Sequence, residues 1–140
     1  MYRRILVPLE NTPTDAAILE HVRLLAAHCK ASVVLIHVAD GFVARNFQSL
    51  TLRESEEMRA DLKYLEECTA ALCEAGIDAD SLLAGGDPSV EITAAADREG
   101  CDLIAMSTHG HRFLNDLLRG TTVNKVRHLV KIPVLLLRAQ

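Results

Sequence analysis

The sequence predicts an α/β protein built on one open, doubly wound parallel sheet of five strands in the order 3-2-1-4-5, with helices on both faces. Three observations carry that expectation. Short apolar runs alternate with longer stretches of helical periodicity all the way along the chain, which specifies right-handed β-α-β crossovers. The runs are apolar at nearly every position and not at every second one, as in strands buried on both faces. And 140 residues, 49% hydrophobic and 24% charged, suit one compact domain over 1–140 with a single good core.

Ile5, Leu6, Val7 and Pro8 form the first strand. Thr12-Pro13-Thr14-Asp15 reads as a helix start, with Thr12 at the N-cap, Pro13 at the first helical position and Asp15 in the capping-box place. Ile18, Val22, Leu25, Ala26 and Cys29 follow at helical spacing. The second strand, Ser32 to Val38, is interrupted by His37, which has no second metal ligand at a useful spacing and is expected to be satisfied within the fold. Asp40 to Leu50 has no sustained period and contains Gly41, so it reads as a surface connection over the mouth of a site, with Phe42 and Phe47 packing it down.

Thr51 and Glu54 open the second helix, whose inner stripe is Met58, Leu62, Leu65, Thr69 and Leu72 and which Gly76 stops. Its other face, Glu54 to Glu67 and including Asp61, reads as solvated. A weak third strand from Ala79 to Ala84 ends at Gly85-Gly86. Asp87 and Pro88 then cap and start a third helix with Val90, Ile92, Ala95 and Ala96 facing inward, ending at Gly100. Leu103 to Met106 is the fourth strand, a loop follows from Ser107, a fourth helix begins at about Thr121, and Ile132 to Leu137 is the fifth strand. Pro133 suits the start of an edge strand.

No apolar run approaches the ~20 residues of a membrane span, and the apolar stretch after Arg4 is too short for a signal peptide, so the expectation is a cytoplasmic protein with no membrane insertion. Cys29, Cys68, Cys73 and Cys101 form no CxxC pair and read as reduced packing residues. A net charge of −4 argues against nucleic acid as a partner. The charge is unevenly spread. From His109 to Gln140 stand Arg112, Arg119, Lys125, Arg127, Lys131 and Arg138 against the single acid Asp116, a local balance of +5 that leaves −9 for the remainder. Such a region suits a small polyanion, or is the solvated face of a helix.

The chemistry concentrates in Ser107 to Thr121. Gly110 and Gly120 bracket nine residues, and the Thr121 hydroxyl sits where the fourth helix is expected to open, an arrangement that lets backbone N–H groups and a helix N-terminus approach phosphate. In a 3-2-1-4-5 sheet the ligand crevice lies between strands one and four, whose carboxyl ends are Pro8-Leu9-Glu10 and Ser107-Thr108-His109-Gly110. His109 and His111 flank Gly110 without an obvious carboxylate or cysteine partner and read as structural parts of the loop.

Ile5-Leu6-Val7-Pro8 with an acid two places on, the strand end His37-Val38, Gly86-Asp87-Pro88 before a helix, and Thr108-His109-Gly110 together resemble the universal stress protein family over essentially the whole chain. The resemblance implies this five-stranded fold, a stress-related regulatory role, and in nucleotide-binding members the pattern Gly-x2-Gly-x9-Gly-[Ser/Thr]. Its four positions fall on Ser107, Gly110, Gly120 and Thr121, with Ser107 replacing the first glycine. Glu10 stands where the family usually has aspartate. Carried over, the resemblance implies ATP or a related adenine nucleotide with Mg²⁺: Pro8, Glu10 and Val38 on the adenosine side, Gly110, Gly120 and Thr121 at the phosphates. Arg112 is added as a phosphate partner on charge and position. Ser107 either clashes or hydrogen-bonds ribose or phosphate.

Three functions remain compatible. One is a nucleotide-binding regulator acting through a homodimer or a regulated protein partner. The second is a dimeric interaction module of the same family without nucleotide, and the third a slow ATP hydrolase, for which the sequence offers no evident base or metal-binding carboxylate cluster. The homodimer is expected through the apolar edge strand Val134, Leu135, Leu136 and Leu137.

Overall fold

The computed structural model describes the backbone at residues 1–40, 52–109 and 116–139, and side chains at 1–39, 56–108 and 122–139. Its elements are β1 (Arg4–Pro8), α1 (Asp15–Cys29), β2 (Ser32–Asp40), α2 (Leu52–Glu74), β3 (Ala79–Gly86), α3 (Pro88–Arg98), β4 (Leu103–His109), α4 (Asp116–Leu129) and β5 (Val134–Ala139). The sheet order is β3-β2-β1-β4-β5 and each neighbouring pair is parallel, as the sequence predicts.

Side-chain alternation along the strands feeds two core layers. Ile5, Val7, Val33, Leu35 and Leu103 pack with Ile18 and Val22 of α1 and Leu65 and Leu72 of α2. Leu6, Val34, Ile36, Ile104 and Met106 pack with Ile92 and Ala95 of α3 and Val126 of α4. The successive residues Ile5, Leu6 and Val7 of β1 are therefore all fully buried, while Arg4 and Pro8 at its ends are partly exposed. Each Ile, Leu or Val removed from water in this way contributes about 1.5–3 kcal/mol, so the central strands hold both helical layers. Gly76 and Gly100 follow α2 and α3 with φ of +86° and +65°, where a side chain is strained.

Several boundaries differ from the sequence reading. α1 begins at Asp15, with Thr14 at the cap position and no side-chain cap bond; half of the expected box forms, the Thr12 N–H donating to Asp15 Oδ2 at 3.4 Å. In α2 Leu62 is exposed, Tyr64 and Cys68 pack inward with Leu65 and Leu72, and Asp61 is largely shielded from solvent by partners described below. In α3 Val90 is exposed and Ser89 is buried, because Ser89 closes the cap: Asp87 Oδ1 accepts from its N–H at 2.9 Å and its hydroxyl at 2.6 Å.

The largest correction concerns Ser107 to Thr121. β4 continues through Ser107, Thr108 and His109, because the β5 backbone at Leu137, Arg138 and Ala139 offers ladder partners whatever the side chains are. α4 begins at Asp116, so Gly120 and Thr121 lie within the helix and do not open it. Gly41, Phe42, Phe47, Thr51, Gly110, His111 and Arg112 lie outside the described residues, as do the side chains of Glu54, His109 and Thr121.

All four cysteines are free. Cys101 is buried, and burial pushes its thiol up to about 11, which keeps it protonated and inert. Cys73 is exposed, so a packing role does not describe it.

At the amino end of the sheet the Asp102 carboxylate accepts from the backbone N–H groups of Arg3 (2.9 Å) and Arg4 (3.0 Å), tying β1 to β4. Burial opposes its ionisation, but these hydrogen bonds and the nearby Arg3 charge outweigh that, and the carboxyl lies below its ordinary 3.8. A carboxyl depressed in the folded state contributes stability present above the ordinary value and lost as pH falls through the folded one. Asp102→Ala is expected to cost about 1 kcal/mol at neutral pH. The difference from the parent should shrink toward about pH 2. Thermal melts at both pH values check this, and a gap that persists in acid would assign the loss to packing instead.

Candidate functional site

β1 runs on into α1 on one face of the sheet, and β4 leads to α4 on the other, so the two strand ends diverge and open a crevice between them. A cleft of about 270 Å³ lies there, lined by Pro8, Leu9, Glu10, Asp15, Ile36, His37, Val38, Pro88, Ile92, Met106, Ser107, Thr122 and Val123. It brings together four residues singled out in the sequence, Pro8, Glu10, Val38 and Ser107. α4 reaches it through Thr122 and Val123, next to the expected Thr121. A wider groove of about 780 Å³ between α3 and α4 lies at the amino ends of β4 and β5, away from the switch point.

The β1–α1 loop that walls this cleft is shaped by Asp15, which is 1% exposed. Its carboxylate accepts from the backbone N–H groups of Glu10 (3.1 Å), Asn11 (2.8 Å) and Thr12, and from the Tyr64 hydroxyl at 2.6 Å. Asn11 adopts a left-handed φ of 61°, which Asn tolerates better than most residues, and its side-chain amide donates to Asp61 at 3.0 Å. The other Asp61 oxygen lies 3.3 Å from His37 Nε2, while the His37 Nδ1–H donates to the Leu9 carbonyl at 2.8 Å. Asp61 and Tyr64, one turn apart on α2, thus grip the loop from outside. His37 is satisfied within the fold as expected, and it also lines the cleft.

Ser107 occupies a position that alternation settles. Leu103 and Ala105 of β4 face the α1–α2 layer, and Ile104 and Met106 face the α3–α4 layer. Ser107 therefore directs its Cβ toward α1, away from the apolar floor made by Ile36, Val38, Ile92, Met106 and Val123. Its Oγ is buried and has no hydrogen-bond partner among the described residues. An unpaired buried hydroxyl costs about 1–3 kcal/mol.

Residues 1–138 match the family model described as the universal stress protein family. The chain belongs to that family. Universal stress protein MJ0577 of Methanocaldococcus jannaschii is 28% identical over 155 residues, covering 99% of this chain and 96% of the relative. The solved structure described as a structure-based assignment of the biochemical function of hypothetical protein MJ0577 superposes with a TM-score of 0.85 at 26% identity, over 100% of this chain and 98% of that one. A universal stress protein solved in complex with cAMP shares the fold at a TM-score of 0.72 and 17% identity, over 97% and 96% of the two chains. One from Archaeoglobus fulgidus in complex with dAMP does so at 0.70 and 15%, over 96% and 97%.

The cleft of this universal stress protein combines an apolar floor with a polar wall of Glu10, Asp15, His37 and Ser107. An apolar surface with a few convergent polar groups is the makeup of a small-molecule pocket. Among the described residues no group of three His, Cys, Asp or Glu side chains could hold a metal ion. Leu9, Asp15, Ile36, His37, Pro88, Ile92, Met106, Thr122 and Val123 complete the lining without having been singled out for it. Those at the strand ends and in Gly86-Asp87-Pro88 carry core and capping signals in the sequence, which do not distinguish them as cleft residues.

Proposed function

We propose that this universal stress protein binds an adenine nucleotide at the switch-point crevice and acts as a regulatory homodimer, through itself or a protein partner. The observation that carries the reading is the cleft, with an apolar floor for a base and an acidic, hydroxyl-bearing wall for a sugar. The cAMP and dAMP complexes of two proteins of the same fold support an adenine ligand.

In this reading Pro8 and Val38 border the base, and Glu10 accepts from the ligand. Ser107 stands at the sugar. Gly110, Arg112, Gly120 and Thr121 serve the phosphates, and a Mg²⁺ accompanying ATP is held by those phosphates more than by protein carboxylates. The direction of the Ser107 Cβ, toward α1 and away from the apolar floor, supports a cleft that still admits a nucleotide. Regulation is preferred over ATP hydrolysis because neither the sequence nor the described cleft presents a placed base with a metal-binding carboxylate cluster.

Calorimetric titration with ATP, AMP and cAMP, each with and without Mg²⁺, tests the proposal. Saturable binding with one site per chain is expected. Silence with all three up to about millimolar concentration, the weak end of specific affinities, would reject it.

A further inference from the structure

We propose that His37 and Asp61 form a pH-sensitive latch on the β1–α1 loop: their contact needs a shared proton, and loss of that proton releases the cleft wall from α2. The latch does not depend on what the cleft binds.

Hydrogen-bond geometry carries the argument. His37 Nδ1 lies 2.8 Å from the Leu9 carbonyl oxygen, and His37 Nε2 lies 3.3 Å from Asp61 Oδ2. A carbonyl and a carboxylate only accept, so both ring nitrogens must present an N–H. A neutral imidazole has one N–H and one lone pair. Whichever tautomer it takes, a lone pair faces an oxygen lone pair on one side. The doubly protonated ring satisfies both partners, and so does a proton carried on Asp61 Oδ2, so the two groups act as one titrating unit. Asp61 Oδ1 is already engaged by the Asn11 amide at 3.0 Å. The two side chains are 14% and 19% exposed, so solvent screens the contact only in part.

The surroundings favour the protonated pair. Among the described residues, α2 places Glu57 one turn before Asp61 and Tyr64 one turn after it. Glu10 and Asp15 border the same wall from the β1–α1 loop and the start of α1. The neighbours of His37 in β1 and β3 are the uncharged Leu9 and Leu83. These groups are carboxylates, a phenol and apolar side chains, and nearby negative charge favours an imidazolium.

Leu9, Glu10 and His37 all line the cleft, and Asn11 holds its left-handed φ beside them. When the proton leaves, His37 keeps its shorter bond to Leu9 and repels Asp61. Asn11 then loses its partner or moves with it, and the loop is no longer fastened to α2 at this point.

Thermal melts of the parent and Asp61→Asn from about pH 5.5 to about pH 8.5 test the latch, across the range where histidine changes charge. A proton held by the folded pair contributes stability that is present at low pH and lost as pH rises. The substituted amide can accept from Asn11 through its oxygen and donate to the lone pair of a neutral His37, so it needs no extra proton. The other histidines are common to both proteins, and their titration cancels in the comparison. The parent is expected to lose about 4 °C relative to Asp61→Asn over this interval. NMR of the parent gives a second readout that needs no variant: the Asn11 and Thr12 amide signals should shift with the same midpoint as the His37 ring. A melting difference that does not change with pH, or changes in the opposite sense, overturns the latch. Loop amides that ignore the His37 titration overturn it as well, and they decide the matter if Asp61→Asn does not fold.

Discussion

Asp15→Asn is expected to lower the melting temperature by about 10 °C, corresponding to roughly 3 kcal/mol for a domain of this size. The carboxylate is buried and accepts from Glu10, Asn11, Thr12 and Tyr64. An amide of the same shape turns one acceptor into a donor, so backbone N–H groups face an N–H₂ and lose their partner in a shielded place. The same groups give the β1–α1 loop its shape, so the variant should also bind ligand more weakly than any loss of stability explains. Tyr64→Phe removes a single hydrogen bond and is the smaller perturbation, about 1 kcal/mol. Burial and then the bond to Asp15 hold the Tyr64 hydroxyl protonated far above its usual range, so this bond survives moderate alkali. Calorimetric or circular-dichroism melts decide the matter. An Asp15→Asn midpoint within about 2 °C of the parent would mean that solvent replaces the carboxylate without cost.

The second large effect is expected at the sheet edge. Leu136→Glu should convert a dimer at micromolar concentration into a monomer, read as a halving of mass in light or X-ray scattering. β5 ends the sheet, and one side of its backbone has no strand neighbour among the described residues. Leu135 and Leu137 pack against the α1–α2 layer and Val134 against the α3–α4 layer, while Leu136 remains 40% exposed. In the proposed homodimer a two-fold axis beside this edge would pair β5 with its own copy in antiparallel fashion and cover Leu136 from both chains. A carboxylate there brings two like charges together across the axis, and the expected weakening is at least tenfold. A parent that is already monomeric, or a variant that keeps the dimer mass, would remove the edge strand as the interface.

The two misread acids show where sequence reasoning reached its limit. Asp15 has the spacing of a capping-box residue, and it does accept from Thr12, but its main engagement is with Glu10, Asn11 and the distant Tyr64. Asp61 stands in a run of charges whose simplest reading is a wet helix face. It is turned inward because Asn11 and His37, 50 and 24 positions away, meet it from the β1–α1 loop and β2. Spacing on one helix cannot announce partners from two other elements. The stretch Ser107 to Thr121 departs from its sequence pattern for a related reason. Its polar residues look like loop, yet Ser107 to His109 continue a strand because β5 lies alongside.

The order of elements, the parallel sheet and the location of the crevice were all legible in the sequence, because apolar period and turn chemistry are local and right-handed crossovers leave few ways to arrange five strands. Only the tertiary structure decided the character of that crevice. It turned Asp61 and Tyr64 onto the β1–α1 loop and sent the Ser107 Cβ to the α1 face, where its hydroxyl has no partner among the described residues. Those outcomes depend on which side chains meet across the fold, and no local pattern encodes a meeting between residues 49 or 50 positions apart.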